Sequence, residues 1–164
     1  MNTVSSILVG TAAQTVWVRV EGKGTFLNST GLKEFAKEMT NRGFREFVVD
    51  LQTCPVMDST FMGTLASVAL RLRDLGSGEL RVINLNDRNR DLLCNLGLDQ
   101  FFTLGAPATT APVPHPLPAD AEDKRTQKQT MLEAHEAVVA VNPANAAKFK
   151  DVLEFLKQDL RPLG

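Results

Sequence analysis

The chain is poor in the residues that staple, coordinate or anchor a protein. It holds two cysteines, Cys54 and Cys94, too few for a disulfide framework, and no histidine lies near either at metal-ligand spacing. Both thiols read as buried and reduced, with no metal bound. The longest apolar runs fall far short of the roughly 18 residues of a membrane span. Met1–Ser6 lacks the basic start of a signal peptide. A net charge of -1 leaves no basic surface for a nucleic-acid backbone, and Arg71, Arg73 and Arg81 read as solvated positions. No Gly-x-Ser-x-Gly elbow is present. Gly22 and Gly24 lack the continuation of a phosphate-cradling loop. These absences describe a cytoplasmic chain that needs no cofactor and is not an enzyme.

What is present is a strand, a break and a capped helix. Glu46-Phe47-Val48-Val49-Asp50-Leu51 is short, apolar and rich in Val, as a buried strand is. Cys54-Pro55 interrupts it. Asp58 is a good N-cap, with Ser59 and Thr60 in the first turn that follows. Phe61, Met62, Leu65, Ala66, Ala69 and Leu72 then recur at helical spacing to about Arg73. Two hydroxyls thus stand at a helix N-terminus, beside a carboxylate, where a phosphate would be held.

Before this stretch, Ile7–Val9 and the alternating Thr15–Val20 read as strands. Asn28, Ser29 and Thr30 offer caps for a helix over about 31–41, closed by Gly43. After it come a strand at Leu80–Leu85, a helix capped by Asp87 and ended by Gly97, and a short strand at Phe101–Leu104. From Thr15 the order alternates strand and helix, which favours an α/β domain with a mostly parallel sheet.

The composition changes after Gly105. Five of the eight prolines lie between Pro107 and Pro118, as in an extended, partly polyproline-like linker. Residues 120–141 then read as one helix. Asn142-Pro143 reads as cap and first position of a second helix, with Phe149, Val152, Leu153, Leu156 and Leu160 in a stripe. The chain divides into an α/β domain at 1–105, a linker at 106–119 and a helical hairpin at 120–164. Two helices of this length bury little by themselves, so the hairpin should dock on the α/β domain, on a second copy as a homodimer, or on a partner.

The order Phe47-Val48-Val49-Asp50-Leu51, Met57-Asp58-Ser59-Thr60, Gly63 and then Leu96-Gly97-Leu98 resembles the signature of STAS domains. Its nearest likeness is to the anti-sigma factor antagonists of bacterial partner-switching systems, over roughly residues 5–104. The resemblance implies a small mixed, mostly parallel sheet covered by helices. It also implies a role: binding a serine kinase that is also an anti-sigma factor, with a protein phosphatase opposing it. On that carry-over Ser59 is the phosphoacceptor, with Thr60 as the second choice. Asp58, Ser59, Thr60, Phe61, Gly63 and Phe26 would form the partner-binding surface. The alternative within the same fold is a phosphorylation-independent interaction subunit of a larger complex, such as a transport ATPase.

Two departures stand out. Phe61-Met62 intervene before Gly63, where relatives place Gly directly after the hydroxyl residues. The early loop reads Gly24-Thr25-Phe26-Leu27-Asn28, without the Asp found in relatives. His115 falls in the linker and His135 in the extension, where it reads as a partly solvated helical residue. A Ser-His-Asp constellation would require the extension to fold back onto Ser59. An exposed Ser59 favours the switch, a Ser59 buried under Phe61 the constitutive module, and a His135 beside Ser59 would revive an enzyme.

Overall fold

A computed structural model describes residues 5–107, 110–118 and 123–161. Its eleven elements run β1 (Ser6–Ala12), β2 (Thr15–Glu21), α1 (Phe26–Asn41), β3 (Glu46–Asp50), α2 (Ser59–Asp74), β4 (Glu79–Ile83), α3 (Asp87–Asn95), β5 (Thr103–Leu104), β6 (His115–Pro116), α4 (Lys124–Val141) and α5 (Asn145–Asp159). They form a mixed sheet in the order β5-β4-β3-β2-β1-β6. The β1–β2 and β1–β6 pairs are antiparallel, and β2–β3, β3–β4 and β4–β5 are parallel.

Period-two alternation sends Val16, Val18 and Val20 to one face, with Phe47, Val49 and Leu51 beside them. Against that face pack Leu32, Ala36 and Met39 of α1 and Phe61, Leu65 and Leu72 of α2, all buried. Each such large side chain contributes about 1.5–3 kcal/mol on burial, so this layer carries the fold. The opposite face bears Trp17 and Val48, also buried.

Local details move some sequence boundaries. Helix α1 begins at Phe26, well ahead of Gly31, because Thr25 and Asn28 form a reciprocal capping box. Asn86 rather than Asp87 caps α3. The α5 helix begins at Asn145 and not at Pro143, since the Asn142 side chain accepts from the Ala144 amide and holds residues 142–144 in a turn. The last strand of the α/β unit is only Thr103–Leu104, and Phe101-Phe102 is a turn.

The proline-rich segment is no free tether. Its His115–Pro116 pairs with Leu8–Val9 as the edge strand β6. Because β5 and β6 lie at opposite edges, the chain must cross five strand spacings of about 4.8 Å, about 24 Å in all. Ala111, Pro112 and Pro114 line a small cavity with Trp17, Arg19 and Asp50. Gly10 permits the approach, since a β-carbon there would lie 2.9 Å from Pro112 Cγ.

Beyond β6 the chain passes to the helical side, where α4 lies on α1 and α2 as a third layer and α5 packs back on α4. The seam turns on Gly63: a β-carbon there would overlap the Ala134 carbonyl. Polar contacts flank it. Thr30 and Thr130 hydroxyls are 2.9 Å apart, Lys33 pairs with Glu133 at 2.9 Å, and Asn145 Nδ2 donates to the Leu96 carbonyl at 2.9 Å. The hairpin is therefore docked in cis. Its second helix is only partly covered: Leu156 is buried, whereas Val152 and Phe155 are exposed.

Gly63→Ala tests this seam. Alanine adds about 1 kcal/mol of helix propensity, but the overlap with backbone should cost about 1–3 kcal/mol or more. The expected net result is a lower melting temperature, with new proteolytic cleavage between residues 105 and 123. An unchanged melting temperature and cleavage pattern would show that α4 is not held against Gly63.

Candidate functional site

Asp58 builds the site. Its backbone is extended, and its Oδ1 accepts the Phe61 amide at 2.8 Å, capping α2. Its Oδ2 accepts the Phe26 amide, the first of α1, at 3.0 Å. Its own amide donates to the Gly24 carbonyl at 2.8 Å. One carboxylate thus serves two helix starts, each of which leaves backbone donors without intrahelical partners. Gly24 is needed beside it, because a β-carbon would meet the Phe61 ring at 2.8 Å.

Ser59, the first residue of α2, is half-buried. Its Oγ lies 2.9 Å from His135 Nε2. His135 Nδ1 lies 2.7 Å from the Met131 carbonyl. A carbonyl only accepts, so Nδ1 carries a proton. In the neutral ring Nε2 then accepts, and the Ser59 hydroxyl donates to it. The His135 ring is buried and packs edge-on to Phe149, with centroids 4.9 Å apart. The expectation of a partly solvated His135 is overturned, because the hairpin folds back onto Ser59. The pair stops at a backbone carbonyl, however. Asp58 is committed to the two helix amides, so among the described residues no Ser-His-Asp triad is formed.

Ser59 faces an open cleft of about 530 Å³ between α2, α3 and α5. Val56, Met57, Met62, Leu92, Leu96 and Phe149 give it apolar walls, and Asp58, Arg88 and Lys148 bring charge. The Lys148 ammonium donates to the Asn95 carbonyl, tying α5 to the end of α3.

The remaining sequence candidates sit differently. Phe61 is fully buried and Thr60 and Gly63 are buried too, so none forms an outward surface in the docked state. Phe61 belongs to the core, with its ring set against Gly24. Thr60 is in the first turn of α2 but buried. Phe26 is half-buried at the start of α1. Asp50 satisfies loop groups, accepting from the Gln52 amide and Asn84 Nδ2 at 2.9 Å each. Burial pushes the Cys54 thiol up, whereas Cys94, expected to be buried as well, is exposed. Among the described residues no cluster of His, Cys, Asp and Glu could hold a metal, and no helix is long and apolar enough to cross a membrane.

Sequence reasoning did not find Arg88, Lys148, Phe149 or the pairing of His135 with Ser59. His135 lies 76 positions from Ser59, and no local spacing signals that approach. The mid-helix Gly63 and the small Ala134 were the available hint, as a place where two backbones come close.

The STAS domain model matches residues 7–111. The chain belongs to the STAS domain family. Among solved structures, a putative anti-sigma factor antagonist from Thermotoga maritima is similar at 15% identity and a TM-score of 0.56, covering 61% of this chain and 86% of that one. The unphosphorylated form of the anti-sigma factor antagonist SpoIIAA is similar at 16% identity and a TM-score of 0.53, covering 63% and 90%. The phosphorylated form of SpoIIAA, a Bacillus cell fate determinant, is similar at 14% and 0.52, covering 62% and 92%. At these identities the likeness is one of fold. No protein of curated function matches the sequence. The STAS match ends before α4, so the hairpin and His135 lie outside the matched span.

Asp58→Ala removes the cap of α2 and the acceptor of the Phe26 amide, leaves the Thr25–Asn28 capping box of α1 in place, and should destabilise the domain by about 1–2 kcal/mol. Asp58→Asn keeps a side-chain oxygen and should cost less. Urea denaturation of the two variants checks the order, and equal costs would count against a shared carboxylate cap.

Proposed function

We propose that this STAS protein is an anti-sigma factor antagonist-like regulator, cytoplasmic, that binds a serine kinase/anti-sigma factor and is switched by phosphorylation of Ser59. A protein phosphatase would reset it. The observation that carries the reading is the difference between the two hydroxyl residues: Ser59 is half-buried and borders the cleft, whereas Thr60 is 5% exposed. Of the two, Ser59 is the one a kinase can reach.

A phosphate on Ser59 adds about 1.5–2 negative charges and three acceptor oxygens. It would stand next to the Asp58 carboxylate and the positive end of α2. A partner burying that surface must desolvate the dianion, at a cost of several kcal/mol if it offers no cation. Each 1.4 kcal/mol is tenfold in affinity, so loss of about a hundredfold or more follows. The switch acts on an interface rather than on the fold. Asp58, Ser59 and Phe26 would meet the partner, and Thr60, Phe61 and Gly63 would shape that surface from beneath.

The docked hairpin favours one other reading. It covers Gly63 and much of α2 in cis, as a stable module would have it, and a phosphorylation-independent interaction subunit fits that closure. The Ser-His pair alone does not make the protein a hydrolase of the triad kind, since His135 Nδ1 is held by the Met131 carbonyl rather than by a carboxylate.

Mass spectrometry of the protein incubated with ATP and extract of its own cells, beside Ser59→Ala, decides between them. Phosphate mapped to Ser59 and absent from the variant is the expected outcome. If a control substrate is modified and Ser59 is not, the constitutive module takes precedence. Equal binding of the native partner by phosphorylated and unmodified protein would sink the switch.

A further inference from the structure

We infer that His135 is the built-in general base of Ser59, so that the C-terminal hairpin completes the phosphoacceptor site in cis. The inference rests on the Ser59 switch proposed above and adds to it the group that receives the hydroxyl proton. Three observations carry it. Ser59 Oγ and His135 Nε2 are 2.9 Å apart. The Met131 carbonyl holds the Nδ1 proton at 2.7 Å, which leaves the Nε2 lone pair turned to the serine. The serine borders an open cleft of about 530 Å³ whose charged lining includes Arg88 and Lys148.

A serine hydroxyl is a weak nucleophile until a positioned base takes its proton, and such a base typically contributes about 10²–10⁴-fold. Here the geometry of nucleophile, base and orienting group is already assembled. The Phe149 ring, edge-on at 4.9 Å, restricts the imidazole, and burial of His135 keeps bulk water from competing for Nε2.

The step balances. Ser59 Oγ attacks the terminal phosphorus of a nucleoside triphosphate brought by the kinase. The new bond is Oγ–P, the bond broken is from phosphorus to the bridging oxygen, and the nucleoside diphosphate leaves with that electron pair. The hydroxyl proton moves to His135 Nε2. The imidazolium so formed then lies beside the new phosphate, in a cleft whose lining also includes Arg88 and Lys148. Helix α4 thereby makes modification of Ser59 depend on hairpin docking.

The test needs no kinase. A fluorophosphonate reacts at phosphorus in the same sense, forming Oγ–P and releasing fluoride, and its adduct is read by intact and peptide mass. The full chain should take up one adduct at Ser59, and Ser59→Ala should take up none there. His135→Ala and His135→Gln should react at least about tenfold more slowly, and free imidazole should restore rate to His135→Ala. No adduct on wild-type Ser59, or equal rates with either His135 variant, overturns the inference. If both variants loosen the hairpin, as melting temperature and proteolysis report, the imidazole arm decides. A rate that climbs with imidazole supports the base, and a flat rate overturns it.

The two proposals fail separately. A missing adduct removes the base and leaves a cellular phosphate on Ser59 untouched. A fast adduct without any cellular phosphate leaves an activated serine and removes the switch.

Discussion

The structure depends on one carboxylate shared by two helix starts. Both oxygens of Asp58 are committed, one to the Phe61 amide of α2 and one to the Phe26 amide of α1. A helix N-terminus leaves several amides without partners and a partial positive charge, and two such ends converging would repel. A single anion between them resolves both problems. The Gly24 carbonyl then takes the Asp58 amide, and Phe61 fits against a residue with no side chain. Ser59 owes its place to this joint: one residue after the cap, it has its hydroxyl at the tip of α2 and its neighbours Thr60 and Phe61 turned inward.

The extension changes what that hydroxyl meets. In a bare α/β unit the first turn of α2 would face solvent. Here α4 lies across α1 and α2 and delivers His135 to Ser59, while α5 brings Phe149 and Lys148 to the cleft. The contact is specific rather than merely greasy. It combines a backbone approach at Gly63 and Ala134 with hydrogen bonds at Thr30–Thr130 and Asn145–Leu96 and the Lys33–Glu133 pair. An exposed ion pair contributes little; the close-packed seam and the buried amide carry the docking. The strap at 110–118 sets the hairpin's starting point, since β6 fixes the chain at the β1 edge before it turns to the helical side. The Ser59 hydroxyl is thus joined to the docked hairpin through one hydrogen bond, to His135 of α4.

What the sequence by itself determined was whatever short range can encode. Val16, Val18 and Val20 on alternate positions made a strand face, Asp58 before an apolar 3.6-residue stripe made a capped helix, and the order of strands and helices made a mixed, mostly parallel sheet. Family resemblance and fold agree because these signals are local and redundant. Where a boundary shifted, as at Thr25 or Asn142, a side-chain cap a few residues away outweighed the residue read first. Tertiary structure alone decided the rest. Proline composition reads as extended but does not say that the segment crosses the sheet and joins it as β6. The apolar stripe from Phe149 to Leu160 says that the hairpin needs cover, not what supplies it. The meeting of Ser59 and His135 follows from a fit between Gly63 and Ala134 across 71 positions, a matter of shape and close packing that periodicity does not carry.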